Sequence, residues 1–306
     1  MKKNRKSLHL RLVGGLGNQL FGYLAGLYLS SISNRDLKLD ISGVAKNHSP
    51  YDITSFNILS TEVRIFKPSP ILNKYKNRVI DSINYRSSLF FENKAFKKSF
   101  LVDQGYIKNV EKVMRRGNVK FHSGYFQTFE YLSGLRQQTT FKLRLKHPFE
   151  KYEELADKLK LSDSLALHVR RGDFENEKIN HGLLSQDWYV QAIEQMLTLN
   201  LGLAKVFIFT NDTFWCENVL AQLLGKKGLE VNILKELTFE DPAISFLLFS
   251  ESKAKVCSNS TFSLLAAAMG SGSVVVPYPY NRRGDFKQLE DTSPQNWLRV
   301  ESIWEE

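Results

Sequence analysis

Two consecutive arginines, Arg170 and Arg171, end an apolar run in the hexapeptide His168-Val169-Arg170-Arg171-Gly172-Asp173. Side chains alternate across a strand, so His168 and Arg170 share one face while Val169 and Arg171 take the other. A guanidinium is a permanently charged planar fork that grips a carboxylate or phosphate with two hydrogen bonds at once. Arg170, at the carboxyl end of a predicted strand, is therefore a candidate ligand for a diphosphate, with His168 beside it as a hydrogen-bonding group. Arg171 is expected to hold Asp173 or the surrounding lobe. The competing reading is a solvated Arg-Arg-Gly-Asp turn.

Two other segments suit anions. In Gly14-Gly15-Leu16-Gly17-Asn18-Gln19 the glycines permit close backbone approach, and the amides open a helix whose N-terminus favours negative charge. A dinucleotide fingerprint needs a third glycine where Leu20 stands, so the NAD reading fails there. The alternative is a plain strand-to-helix turn with Asn18 as N-cap. In Cys257-Ser258-Asn259-Ser260-Thr261-Phe262, hydroxyls and free backbone N–H groups at a helix start can bind phosphate without a metal. Serine and threonine are also ordinary N-caps, so this segment alone decides little.

Taken together, the three segments resemble the α-1,2-fucosyltransferases. The family's G-G-L-G-N-Q-[LM]-F is matched by Gly14 to Phe21, its H-x-R-R-x-D by His168 to Asp173, and its S-N-S-[ST]-F-S by Ser258 to Ser263. Gly124-Tyr125-Phe126-Gln127 with Tyr131, and Phe209-Thr210-Asn211-Asp212 with Trp215, are similar to it as well. The resemblance implies a GT-B-like α/β fold of two Rossmann-like lobes facing a cleft. It also implies an inverting transfer of L-fucose from GDP-β-L-fucose to the 2-hydroxyl of a galactose-containing oligosaccharide or lipid-linked glycan. A protein O-fucosyltransferase-like activity, or another linkage, is the alternative.

On this reading Gly17, Asn18, Gln19, His168, Arg170, Arg171, Asp173, Ser258, Asn259, Ser260 and Thr261 bind the donor, and Arg170 and Asn18 are catalytic. The transition state is oxocarbenium-like, so its main need is charge stabilisation on the departing diphosphate. No D-x-D pair with a supporting histidine lies near the motifs, so no metal or other cofactor is expected. Fixed donors from Arg170, Asn18 and the amides around Ser260 and Thr261 would serve instead. Asp173, Glu175 and Glu177 are all candidates for the general base, and the sequence does not choose among them. Guanine recognition is expected from Asp241, Ser245, Asn211 or Asp212. The family's acidic residue before S-N-S is replaced by Ser245, and two tryptophans after it by Leu264 and Leu265.

These residues must be held by a regular framework. Ser7–Val13 reads as a strand, Asn18–Ser33 as a helix and Leu37–Ile41 as the next strand. Beyond residue 160, strands at Leu165–Arg170, Val206–Thr210, Val231–Leu234, Lys255–Cys257 and Val274–Pro277 alternate with helices at Gln186–Leu199, Phe214–Leu224, Ala243–Ser250 and Phe262–Met269. That alternation predicts a parallel, doubly wound sheet. The expected division is residues 1–155 on the acceptor side and 156–306 on the donor side, with a polar helical connector at Glu150–Lys160. The acceptor pocket is expected within residues 40–130.

Composition excludes other classes. With 306 residues, 42% of them hydrophobic, the chain can bury two cores and is too apolar for disorder. Its net charge of +10 is dispersed rather than gathered in a stripe with interleaved aromatics, which argues against nucleic-acid binding. Only Lys2, Lys3, Arg5 and Lys6 form a run, compatible with at most peripheral contact with a membrane. Cys216 and Cys257 are too few for a disulfide framework or a metal site. Leu20–Ile32 falls short of the roughly 20 apolar residues of a span. A cytoplasmic protein, peripheral to the inner membrane at most, is expected.

Overall fold

The computed structural model describes residues 6–41, 53–58, 64–66, 100–101, 119–121, 125–138, 142–147, 152–200, 202–238, 242–284 and 286–306. The chain forms two compact units, one of residues 1–52 and 57–142, the other of residues 53–56 and 143–306. The division falls earlier than the expected 155/156. The helix Tyr152–Lys160 packs on the second unit's sheet through buried Ala156 and Leu159, so it belongs there rather than to a connector.

In the first unit, β1 (Ser7–Arg11), β2 (Asp36–Asp40), β3 (Arg64–Phe66), β4 (Phe100–Leu101) and β5 (Val119–Phe121) form a parallel sheet in the order β3-β2-β1-β5-β4. Between β1 and β2 lies α1 (Leu16–Ser33), which buries Leu20, Phe21, Leu24 and Leu29. Each such burial contributes about 1.5–3 kcal/mol. A Cβ on Gly22 would stand 2.9 Å from Leu12 Cδ2, and one on Gly26 2.9 Å from Leu37 Cδ1. The two glycines that interrupt the apolar run therefore let the helix settle onto the strands. Asn34, left-handed at φ 51°, ends α1 with its N–H on the Ser30 carbonyl. Further along, α2 (Glu130–Gln138) packs against α1.

The second unit carries α3 (Tyr152–Lys160), β6 (Ser164–Val169), α4 (Gln186–Leu199), β7 (Lys205–Thr210), α5 (Thr213–Trp215), a π turn at Cys216–Leu220, α6 (Ala221–Gly225) and β8 (Glu230–Ile233). Then follow α7 (Pro242–Glu251), β9 (Ala254–Val256), α8 (Thr261–Met269), β10 (Ser273–Tyr278), α9 (Lys287–Asp291) and β11 (Leu298–Glu301). The strands are all parallel, in the order β11-β10-β9-β6-β7-β8. This is the Rossmann order, with the reversal between β6 and β9. Every residue of β6 is buried, as a strand covered on both faces requires. Leu165, Leu167 and Val169 pack with Trp188, Tyr189 and Leu220 on one face. On the other, Phe209 meets Phe249 at 5.5 Å and Phe246 meets Phe262 at 5.5 Å. The architecture is α/β with two parallel sheets, of the GT-B-like class.

Candidate active site

The carboxyl ends of β6 and β9 lie side by side at the point where the strand order reverses, the usual ligand position in an open α/β sheet. A buried hydrogen bond ties them together, His168 Nδ1 to Ser258 Oγ at 2.7 Å. The imidazole stacks on Phe262 at 5.2 Å and meets Phe249 edge-on. Burial, helped by the charge on Arg170, pushes its pKa down to about 3, so His168 is neutral.

Strand alternation separates the two arginines as the sequence indicates. Arg171 is buried, with both guanidinium Nη atoms on Glu305, at 2.6 and 3.0 Å, and its plane 4.1 Å over Trp215. Its Nε lies 3.6 Å from Asp212 and its Nη2 3.7 Å from Glu175. Arg171 thus holds the lobe rather than Asp173. Arg170 is one-third exposed, donates from Nη2 to Asp173 at 2.7 Å and lies over Phe174 at 5.7 Å. Its Nε is shielded from solvent and has no hydrogen-bond partner among the described residues. The fork therefore keeps donors in hand.

Among the base candidates, Asp173 uses one oxygen for Arg170 and the other for Asn211 Nδ2 at 3.1 Å. Glu175 faces Arg171, and Glu177 accepts from Asn180 at 3.0 Å. Asn211 also accepts the Arg171 N–H at 2.9 Å, and a Cβ on Gly172 would stand 2.6 Å from Asn211 Nδ2. Only glycine leaves room for this link. Asp212 accepts the Trp215 N–H at 3.0 Å as the N-cap of α5. Asn211 and Asp212, expected at the base, are thus engaged in building the loops. Ser245 is half-buried on α7, and Asp241 lies outside the described residues.

In the serine turn, Ser260 caps α8 by accepting the Phe262 N–H, and Thr261 opens the helix. Asn259, buried, donates to the His181 and Gly182 carbonyls at 3.1 and 3.0 Å, and its Oδ1 has no partner among the described residues. His181 in turn stacks on Phe174 at 5.2 Å. The segment Ser302–Glu306 closes over this loop: the Ser185 N–H donates to Ile303, the Glu305 N–H to Leu183, and Gly182 cradles Trp304. Phe174, His181 and Glu305 carry no local pattern that would reveal them in sequence. Glu305 is 134 residues from its partner.

In the first unit, Gly15 is the N-cap of α1, without a side-chain cap bond, and Asn18 stands three residues into the helix. The N-cap alternative for Asn18 therefore does not hold. Gln19 is buried, its Nε2 on the Gly14 carbonyl at 2.9 Å, and Gly17 is buried within the helix. Asn18 Oδ1 accepts from Gln127 Nε2 at 2.9 Å, so the glycine turn and the Tyr125–Gln127 segment meet. Gly124 and most of the expected acceptor region lie outside the described residues.

Among the described residues no group of three or more His, Cys, Asp or Glu side chains is placed to hold a metal. No described helix is long and apolar enough to cross a membrane. Cys216 and Cys257 are unpaired and buried, and burial pushes both thiols up to about 12.

The profile of glycosyl transferase family 11 matches residues 51–301. The chain belongs to glycosyl transferase family 11. As a family 11 glycosyltransferase it is 28% identical over 306 residues to an alpha-1,2-colitosyltransferase of Escherichia coli, covering 95% of this chain and 98% of that relative. It is 26% identical over 276 residues to the O-antigen biosynthesis glycosyltransferase WbnK of Escherichia coli, covering 82% and 86%. In fold, this family 11 chain is similar to a mutant of FUT1 from Arabidopsis thaliana in complex with GDP (TM-score 0.54, 13% identity, 91% of this chain and 72% of that one). It is also similar to NodZ alpha-1,6-fucosyltransferase soaked with GDP-fucose (TM-score 0.51, 14% identity, 91% and 97%).

Proposed function

We propose that the protein transfers L-fucose from GDP-β-L-fucose to the 2-hydroxyl of a galactose-containing glycan, with inversion and without a metal. The observation that carries this reading is the juxtaposition of the Arg170 loop and the Ser258–Thr261 turn at the sheet's switch point, tied by His168 and Ser258. The diphosphate would lie on the amides at the start of α8, with the Arg170 fork supplying positive charge to the departing oxygen. Asp173 would orient that fork, and Asn18 would add an N–H donor to the leaving group.

Inversion requires one in-line displacement: the acceptor oxygen forms its bond to the anomeric carbon as the bond to the β-phosphate oxygen breaks. Charge then develops mainly on the diphosphate, where fixed donors act more strongly than water does. The acceptor proton leaves late in so dissociative a path, to a carboxylate of the Asp173–Glu177 loop or to the departing diphosphate, which relaxes the need for a strong base.

A second reading takes colitose, which lacks one hydroxyl of fucose, as the transferred sugar. It is favoured by the Escherichia coli alpha-1,2-colitosyltransferase that aligns with nearly the whole chain. Incubation with GDP-fucose, GDP-colitose and a panel of other nucleotide-sugars, with lactose as acceptor, separates the readings by product mass. The 2-linkage is then checked by NMR. Mass gain from a sugar other than fucose, and none from GDP-fucose, overturns the first reading.

A further inference from the structure

We infer that Gln127 is a positioning residue whose amide fixes which end of the Asn18 amide faces the ligand. The inference rests on the reading of Asn18 as an N–H donor to the leaving group. A primary amide is a donor on one side and an acceptor on the other, and rotating it by half a turn exchanges them. An anion is stabilised by the first orientation and repelled by the second. The side chain alone has little preference, so a neighbour must choose.

Three features make that choice. Gln127 Nε2 donates to Asn18 Oδ1 at 2.9 Å, which occupies the acceptor end and leaves Nδ2 without an acceptor among the described residues. Nδ2 then lies over Gly14, where a Cβ would stand only 2.7 Å away, and the φ of +75° at Gly14 itself disfavours any side chain. Gln127 is held in turn by Phe126, a buried aromatic in the left-handed region at φ 52° that packs edge-on against Tyr131 and lies over Gly22. A bulky residue adopts that backbone only where the surroundings over-determine it, and such strain collects where geometry matters to function. The turn therefore places Tyr125 and Gln127 beside the glycine loop while Phe126 anchors them in the core.

The test uses the full chain with GDP-fucose and lactose, measuring kcat and donor KM, with circular dichroism to confirm folding. Glutamate at 127 can only accept, so Gln127→Glu should rotate Asn18 and present its oxygen to the anion. Gln127→Leu releases Asn18 without reversing it. The expected order of kcat is wild type, then Gln127→Leu down about 10-fold, then Gln127→Glu down about 100-fold, with donor KM changed far less. In an Asn18→Ala background, assayed at high enzyme concentration, both substitutions should have no further effect.

Gln127→Glu equal to Gln127→Leu overturns the positioning role, since reversing the amide then costs no more than releasing it. A full loss from Gln127→Glu in the Asn18→Ala background overturns it too and points to charge repulsion or a direct contact. Asn18→Ala with undiminished kcat sinks the underlying reading of Asn18. The two failures are thus told apart by which variant keeps its turnover.

Discussion

Glu305 meets Arg171 with both carboxylate oxygens, one on each guanidinium Nη atom, and Trp215 covers the guanidinium face. The pair fixes the loop immediately after Arg170 to a segment far away in sequence. Arg171 is the buried cation on which Glu305, Asp212 and Glu175 converge, so removing it unpairs all three carboxylates, whereas removing Glu305 leaves it the other two. Arg171→Ala should cost about 3–5 kcal/mol in urea denaturation, and Glu305→Gln less, since the amide still accepts one bond. The double variant should fall short of the sum of the singles. Strict additivity would mean that the two side chains act independently.

Arg170 is one-third exposed and contributes little to the core, so its replacement should spare stability and remove activity. Arg170→Lys keeps the charge but loses the fork. We expect transfer to fall by about 10²–10³, with an unchanged thermal midpoint. A lysine variant with near wild-type turnover would refute the diphosphate role.

His168 is neutral in the folded protein, with its pKa pushed down to about 3 against an unfolded value near 6.5. The unfolded chain takes up this proton first. Stability is therefore fully present above about pH 6.5 and is lost as pH falls toward 3. Between pH 7 and pH 5 the loss from this group is about 2 kcal/mol. Urea midpoints of wild type and His168→Gln across that range should converge as pH falls, because glutamine does not titrate. Parallel curves would show that His168 is not held neutral.

Leaving-group charge on this reading is met by arginine and amide donors, so transfer should be unchanged by excess EDTA. A loss restored by Mg²⁺ or Mn²⁺ would require an ion at the diphosphate and a different division of labour.

The second sheet was largely legible because parallel strands covered on both faces read as short apolar runs between helices, as Leu165–Val169 and Val206–Phe209 do. β11 was not, since Leu298–Glu301 is a half-exposed edge strand whose alternation runs for only four residues. The paired faces of His168 and Arg171 followed from strand periodicity alone. Their partners did not: Ser258 and Glu305 are 90 and 134 residues away. Asn211 and Asp212, expected among the guanine ligands, carry no local sign in the sequence of the further contacts they make. Here those side chains close the turns around Gly172 and Trp215. The π turn at Cys216–Leu220 left no trace in a helical pattern read at 3.6 residues per turn.

The pairing of β6 with β9 also sets when the site can come into being. His168 must wait for Ser258, 90 residues later, and the parallel register between their strands gains nothing until that long loop closes. Helices such as α4 form from neighbouring residues, so helical signal should return early in refolding. Affinity for nucleotide should return only with the last slow phase. On the proposed reading, a nascent chain still short of β9 has the arginines but not the serine turn, and should pass through synthesis unable to bind donor.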